Sequence, residues 1–196
     1  MLIKILVVVV ISFVEFFGSV DGKAGKQHPA TALPHMATYQ NEEACFANPE
    51  MWYLVYRSFE YDPSFGGNAR CARGMAVNPC NGSGTISFKY GEDQEFNASV
   101  TFKSSKGYKV RNYMQLNFPS GKDTYSNHDF RVYSLYTDCN TCSIFWSNYV
   151  KEGPACSLVV PESSVDNIPQ HCHYIYDMHC GPTKYWIYDK SCGSKD

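Results

Sequence analysis

The residue types in this chain best suited to chemistry are cysteine and histidine, which lie close together in one late segment: His171, Cys172, His173, His179 and Cys180. Thiolate and imidazole are donors that zinc prefers, but this spacing matches no structural zinc pattern. Cys139 and Cys142 have the spacing of a thioredoxin-like motif, yet they follow a predicted strand and lack the strand–helix context of that motif. No Gly-x-Ser-x-Gly nucleophile elbow is present. We therefore expect no metal, no cofactor and no enzymatic activity.

The amino terminus indicates that the cysteines form structural disulfides instead. Lys4 precedes an unbroken apolar run over residues 5–11, which is typical of a secretory signal peptide and too short to span a bilayer. We assign the signal to residues 1–22 and expect a secreted, extracellular protein. Outside the cell nine cysteines predict disulfides with one thiol left over. Asn81 and Asn97 each begin a glycosylation sequon, which fits the same compartment.

Composition limits the partners. The formal net charge of −2 over 196 residues gives no bulk attraction to nucleic acid or to an anionic membrane. After a flexible lead-in over 23–38, residues 39–196 are enough for one domain with a continuous core. We expect that domain to be a monomer.

The elements that must position any site read mainly as β-strands. Between residues 95 and 103, Phe96, Ala98, Val100 and Phe102 alternate with polar residues, so one face is buried. Further strand-like runs cover 51–59, 86–90, 108–118, 130–137, 141–146, 156–160 and 184–188. A short helix is predicted within 39–47 and a second one over about 168–178. Such a pattern predicts a small antiparallel barrel whose interior can hold one small ligand.

Several motifs carry a family resemblance, and they stand in order along the chain: Trp52-Tyr53-Leu54-Val55-Tyr56-Arg57-Ser58, Asp62-Pro63, Cys71, Leu135-Tyr136-Thr137-Asp138, Asn167-Ile168-Pro169 and Tyr188-Asp189-Lys190-Ser191-Cys192. Over about residues 40–192 the chain resembles the tick salivary lipocalins, a group that includes the histamine-binding proteins. The resemblance implies an all-β fold: an eight-stranded antiparallel lipocalin-type barrel with a short N-terminal helix and a C-terminal helix. It also implies a salivary protein that sequesters a small host inflammatory mediator, such as histamine or another biogenic amine, to evade host defence.

The resemblance implies two disulfides, Cys71 with Cys192 and Cys142 with Cys172. Cys139 occupies a position where the family usually has tyrosine, so we expect it to be the unpaired cysteine. The remaining cysteines are open from sequence, with a preference for two pairs: Cys156 with Cys180 and Cys45 with Cys80.

The resemblance also points to candidate ligand-binding residues. Two acids of amine-binding relatives are replaced here by Ser143 and Ser157. A third acid survives as Asp62, with Phe59 and Phe65 at nearby aromatic positions. One carboxylate with aromatic faces suits one monoamine. The alternative is that Asp62 only starts a turn with the proline that follows it.

Two other functions stay open. The loss of two acids favours a lipid mediator, such as a leukotriene, fatty acid or sterol, held between apolar walls with an arginine at its carboxylate. Candidate walls are Phe88, Phe96, Phe102, Met114, Leu116, Phe118 and Phe145, and candidate cations are Arg57, Arg111 and Arg131. The third possibility is inhibition of a host protein, such as a complement factor, by loops on the barrel rim.

Overall fold

The fold is a closed antiparallel barrel. The computed structural model describes residues 28–92, 94–118, 130–151 and 153–193. The strands are β1 (Met51–Arg57), β2 (Arg73–Cys80), β3 (Ser83–Tyr90), β4 (Gln94–Lys103), β5 (Tyr113–Asn117), β6 (Phe130–Thr137), β7 (Ser143–Ser147), β8 (Cys156–Pro161) and β9 (Tyr185–Trp186). Strands β1 to β7 each pair with the next strand in sequence, and β1 pairs with both β2 and β8, so the eight strands close on themselves. The predicted eight-stranded barrel is confirmed.

Two α-helices flank the barrel where short helices were expected. Helix α1 (Glu42–Phe46) precedes β1, and helix α2 (Gln170–Cys180) follows β8. Buried Cys172 and Tyr176 pack α2 against the outer face of the barrel, beside Tyr56. Strand β9 pairs with the end of β1. No helix within the described residues is long and apolar enough to cross a membrane.

The alternation predicted for β4 is confirmed. Ala98, Val100 and Phe102 are buried, whereas Asn97 and the other odd-numbered residues, apart from the half-buried Thr101, face solvent. The inward side chains join residues of β5 and β6 in one core cluster inside the barrel. Asn81 and Asn97 are both exposed, and their glycosylation stays a prediction.

Strand β2 was not predicted from sequence. Its residues include Gly74, Asn78 and Pro79, all of which are weak strand formers, and they show no clean alternation. Pairing with β3 across the tight turn at Asn81 and Gly82 holds β2 in the sheet. The strand conformation of β2 therefore depends on hydrogen bonds with its neighbour and not on its own sequence.

Part of the expected lead-in is helical. Residues Pro29–Ala32 and Pro34–Tyr39 form two 3-10 helices, and the flexibility of the lead-in stays a prediction. A buried side chain follows them: the Gln40 amide donates hydrogen bonds to the carbonyls of Ala30 and Leu135. Tyr108 donates to Gln40 Oε1 at 2.7 Å. Strand β5 begins at Tyr113, after the start at residue 108 that the sequence predicts. The predicted signal peptide lies outside the described residues.

Four disulfides staple the fold: Cys45–Cys139, Cys71–Cys192, Cys142–Cys172 and Cys156–Cys180. Both pairs implied by the resemblance are present, as is the preferred Cys156–Cys180 pair. The expectation that Cys139 is unpaired was wrong, and so was the pairing of Cys45 with Cys80. Helix α1 places Cys45 beside the β6–β7 turn, with its Cα 4.6 Å from that of Cys139. Cys80 is the free cysteine among the described residues, and it is exposed.

Candidate binding cavity

A cavity of about 180 Å³ lies inside the barrel. Helix α1 contributes to one part of its wall, and the β1–β2 loop contributes to another. Most of the lining is apolar and comes from the strands, including Leu54, Met75, Ile86, Phe88, Met114 and Leu116. Two carboxyl groups also line it, those of Glu42 and Asp62. An engineered apolar cavity of about 150 Å³ holds one benzene ring, so this cavity suits a ligand of about one or two rings.

Asp62 is buried at 4 % exposure and its carboxylate is already engaged. One oxygen accepts hydrogen bonds from the backbone N–H groups of Ser64 and Phe65, at 2.8 and 2.9 Å. The other oxygen accepts from the Tyr149 hydroxyl at 3.3 Å and lies 3.7 Å from Arg57 Nη1. Burial raises the pKa of Asp62, while these hydrogen bonds and the guanidinium oppose that rise.

Arg57 ties the β1–β2 loop together. Its buried guanidinium donates to the carbonyls of Phe59, Glu60 and Gly67, so one side chain holds both ends of the turn. Arg57 also stacks over the Phe59 ring, 5.1 Å from the ring centroid. Since Arg57 is fully buried beside Asp62, the two charges offset each other.

Aromatic rings surround the cavity near this loop. The Phe65 ring centroid lies 4.9 Å from that of Phe88, 5.6 Å from Phe118 and 5.8 Å from Tyr149. Because the turn at Asp62 fixes the backbone of Phe65, the same carboxylate that lines the cavity also positions this ring. The arrangement offers ring faces and edges to a ligand.

Glu42 lies on α1 and is 8 % exposed. Ser143 lies near its carboxyl and lowers its pKa, and Ser143 Oγ lies 2.7 Å from Thr137 Oγ1. The second carboxyl oxygen, Oε2, has no hydrogen-bond partner among the residues that the structure describes. Burial raises the pKa of Glu42 to about 8, more than the Ser143 hydrogen bond lowers it.

Helix α1 is fixed in place as a cap on this part of the barrel. The Cys45–Cys139 disulfide ties it to the β6–β7 turn. Its Glu43 pairs with Arg111 and accepts a hydrogen bond from the backbone N–H of Gly82. The Phe46 ring packs against Phe102, with centroids 4.9 Å apart. Glu42 is thus presented to the cavity by a helix that has little freedom to move.

The structure brings some of the predicted ligand residues together. Asp62, Phe65 and Ser157 line the cavity, whereas Phe59 and Ser143 do not. Phe59 lies against Arg57, and Ser143 lies behind Glu42. Sequence reasoning missed Glu42, although one signal was available: its spacing from Cys45 and Phe46 places all three on one face of a helix.

Some of the residues proposed for a lipid site line the cavity and others do not. Phe88, Met114, Leu116 and Phe145 line the cavity, as expected for its walls. None of the three candidate arginines does so: Arg57 is bound into the loop, Arg111 pairs with Glu43, and Arg131 lies beside the Tyr113 ring. A cation for a lipid carboxylate is therefore not supplied by those side chains.

One group of cysteine and histidine side chains lies close enough together to be considered as a metal site. Cys142, His171 and Cys172 come close together, the one such group in the described part of the chain. Both of its sulfur atoms belong to the Cys142–Cys172 disulfide, so neither is a thiolate that could bind zinc.

Comparisons with known proteins agree with this fold. A family model described as tick histamine binding protein matches residues 32–194. Japanin from Rhipicephalus appendiculatus, solved with cholesterol, is similar at 19% identity and a TM-score of 0.55, covering 74% of this chain and 96% of japanin. The AM182 serotonin complex is similar at 15% identity and a TM-score of 0.54, with 79% and 92% coverage.

The similarity extends beyond ticks. Lobster apocrustacyanin A1 is 12% identical with a TM-score of 0.54, covering 87% of this chain and 92% of that protein. A search of curated proteins found no match. At these identities the solved structures establish a shared fold, while the family model covers most of the chain.

Proposed function

Because the chain belongs to the tick histamine-binding protein family, we propose that it is a secreted salivary lipocalin that captures one small host amine inside its barrel. Capture would withhold the amine from the host's own receptors. The family and the fold are those of ligand-binding proteins. The proposed action is therefore sequestration, with no chemical change in the ligand.

The observation that carries this proposal is the size of the cavity. Its volume of about 180 Å³ is close to that which holds one benzene ring in an engineered protein. Histamine and serotonin are ring compounds of this order of size. A sterol or a leukotriene is larger than either amine and would exceed this volume. The cavity therefore favours an amine over the lipid alternative.

The lining supports the same choice. A protonated amine brought into an apolar site needs a carboxylate, and aromatic rings add an attraction of about 0.5–2 kcal/mol. The cavity supplies two carboxyl groups, Glu42 and Asp62, with Phe65 and Phe88 nearby. Ser157 adds a hydroxyl to the wall. The predicted ligand residues stay a proposal, with Asp62, Phe65 and Ser157 at the cavity wall and Phe59 and Ser143 behind it.

Similar folds hold different ligands, so fold alone does not choose between them. The AM182 structure contains serotonin and the japanin structure contains cholesterol. Both proteins are too distant in sequence for either ligand to be transferred directly. The cavity of this chain is the basis of the choice.

Native mass spectrometry of the secreted protein tests the proposal. The protein would be mixed in turn with serotonin, histamine, leukotriene B4 and cholesterol. We expect a one-to-one complex with an amine and none with either lipid. A complex with a lipid alone would favour the lipid alternative, and no small-molecule complex at all would favour inhibition of a host protein.

A further inference from the structure

We propose that Glu42, rather than Asp62, is the group that meets the ammonium of the bound amine, and that binding releases the Glu42 proton to solvent. This inference rests on the proposed function, since it assigns a partner to the amine. It adds a residue that the family motifs in the sequence do not mark. It also adds a measurable consequence, which is proton release.

The geometry of Glu42 carries the inference. Glu42 is one of the residues that line the cavity, and its buried Oε2 has no hydrogen-bond partner in the described residues although the side chain is more than nine-tenths buried. None of the described cationic side chains forms an ion pair with it. A buried polar atom left without a partner destabilises the fold, and a charged group does so more strongly. An ammonium in the cavity would supply the missing donor and the missing charge.

Two hydroxyl groups lie behind Glu42. The backbone N–H of Cys139 donates to Thr137 Oγ1 at 3.2 Å, and Thr137 Oγ1 lies 2.7 Å from Ser143 Oγ. Ser143 lowers the pKa of Glu42, which favours a carboxylate that has gained a cation.

The other charged or titratable groups that line the cavity already have partners. Asp62 accepts from two backbone N–H groups and from Tyr149, and it faces Arg57. Arg73 donates to the carbonyl of Cys71. Glu43, next to Glu42 on α1, is paired with Arg111. Glu42 is therefore the lining carboxyl whose charge is not compensated.

The proton balance follows from the two ionisation constants. With a pKa of about 8, Glu42 is protonated in about nine tenths of unbound molecules at pH 7. An alkylammonium, with a pKa near that of lysine at about 10.4, keeps its proton. Glu42–COOH and R–NH₃⁺ then give the pair Glu42–COO⁻ and R–NH₃⁺, and one proton passes to the buffer.

Isothermal titration calorimetry with tryptamine measures this proton directly. Titrations in two buffers of different ionisation enthalpy, such as phosphate and Tris, give the number of protons released. We expect about 0.9 protons per amine at pH 7 and about 0.1 at pH 9, as follows from the pKa of about 8. Affinity should rise between pH 6 and pH 8 because the complex holds fewer protons than the free protein.

Two substitutions make a matched pair. Glu42→Gln keeps the shape of the side chain and removes the charge, so we expect at least a tenfold loss of affinity and no proton release. Glu95→Gln makes the same change at an exposed position of β4 and should leave both values unchanged. Ser143→Ala provides a second, milder variant: without its donor the Glu42 carboxylate is less stable, so amine affinity at pH 7 should fall severalfold.

The outcomes separate the two proposals. If the wild-type protein binds no amine, the proposed function fails and this inference fails with it. If the wild type binds tryptamine while Glu42→Gln binds it equally tightly, or if no proton is released at pH 7, then only the assignment to Glu42 is overturned. A loss of affinity confined to Asp62→Asn would restore Asp62 as the charge partner.

Discussion

A buried acid without a counter-ion is expensive in the empty protein, and Glu42 is such an acid. The unfolded chain holds this carboxyl at an ordinary pKa, whereas burial raises the folded value to about 8. The folded state therefore binds the proton more tightly. Its contribution to stability is complete at low pH and is lost as pH rises from the ordinary glutamate value through about 8.

Glu42→Gln should abolish this loss. We expect the melting temperature of the wild-type protein to fall between pH 6 and pH 9, and the variant to show a flatter profile and greater stability at pH 8. Thermal denaturation followed by circular dichroism across this range measures both. Parallel profiles for the two proteins would show that Glu42 ionises normally in the fold.

A different prediction applies to Asp62, because its ion-pair partner is a buried arginine. Asp62→Asn can still accept the backbone hydrogen bonds of the turn, but it leaves Arg57 without its counter-charge. Removing one member of a buried pair costs about 3–5 kcal/mol, and urea denaturation at pH 7 should show a loss of this order. Glu95→Gln, which breaks the exposed contact with Lys89, is the control and should change little.

Some features of individual residues could be predicted from the sequence and others could not. Asp62 could be found because it stands in a recognisable motif, and its place on the cavity wall agrees with that reading. Its ion pair with Arg57 and the buried, unpartnered Oε2 of Glu42 could not be found. Both depend on tertiary burial, which no local pattern records.

Among the elements, α1 depends most on long-range contacts. It has only five residues, far too few to be a stable helix alone. Its position is set by the disulfide to Cys139 and by the Glu43 contacts with the β2–β3 turn and Arg111. Helix α1 is therefore held over the cavity by tertiary contacts and not by its own helical stability.

Replacing Cys45 and Cys139 together by alanine tests this construction. The bond closes a loop with a sequence separation of 94 residues, for which loop entropy predicts a loss of about 4.7 kcal/mol. Amine affinity should fall as well, because Glu42 would no longer be held at the cavity. Chemical denaturation and amine titration measure the two effects. Cys80→Ser removes an exposed free thiol and should alter neither; an equal effect of both changes would refute the cap.

The β1–β2 loop gives the other element-scale prediction. Arg57 spans three carbonyls with its planar guanidinium, which a lysine ammonium does not reproduce. Arg57→Lys should therefore loosen the loop that carries Phe65 and speed ligand exchange. Stopped-flow displacement of a bound amine would show a faster dissociation rate. An unchanged rate would mean that the loop does not control exit.

Strands were predictable where sequence and burial share a period. Alternation in β4 gave its inward residues correctly, whereas β2 carries glycine, asparagine and proline and is held by its neighbours. The Cys45–Cys139 bond was missed for a similar reason: the approach of α1 to the β6–β7 turn is fixed by packing. Disulfides with family spacing were predictable, and this one was not.

For the whole molecule, the ordered series of motifs was sufficient to predict the barrel, its two helices and its family. Which ligand binds depends on the barrel interior, where a few side chains set the volume and the charge of the cavity. The cavity volume and the state of its two carboxyl groups are products of the closed barrel. They were therefore accessible only from the structure.

The most direct test of small-amine capture compares two ligands of one skeleton, tryptamine and tryptophol, by calorimetry with the wild-type protein at pH 7. They have the same indole ring and chain and differ in carrying an ammonium or a hydroxyl group. We predict that tryptamine binds at a one-to-one ratio and at least about tenfold more tightly, the lower range for a hydrogen bond to a charged group. Equal affinities, or binding of neither ligand, would contradict capture of an amine by a carboxylate inside this barrel.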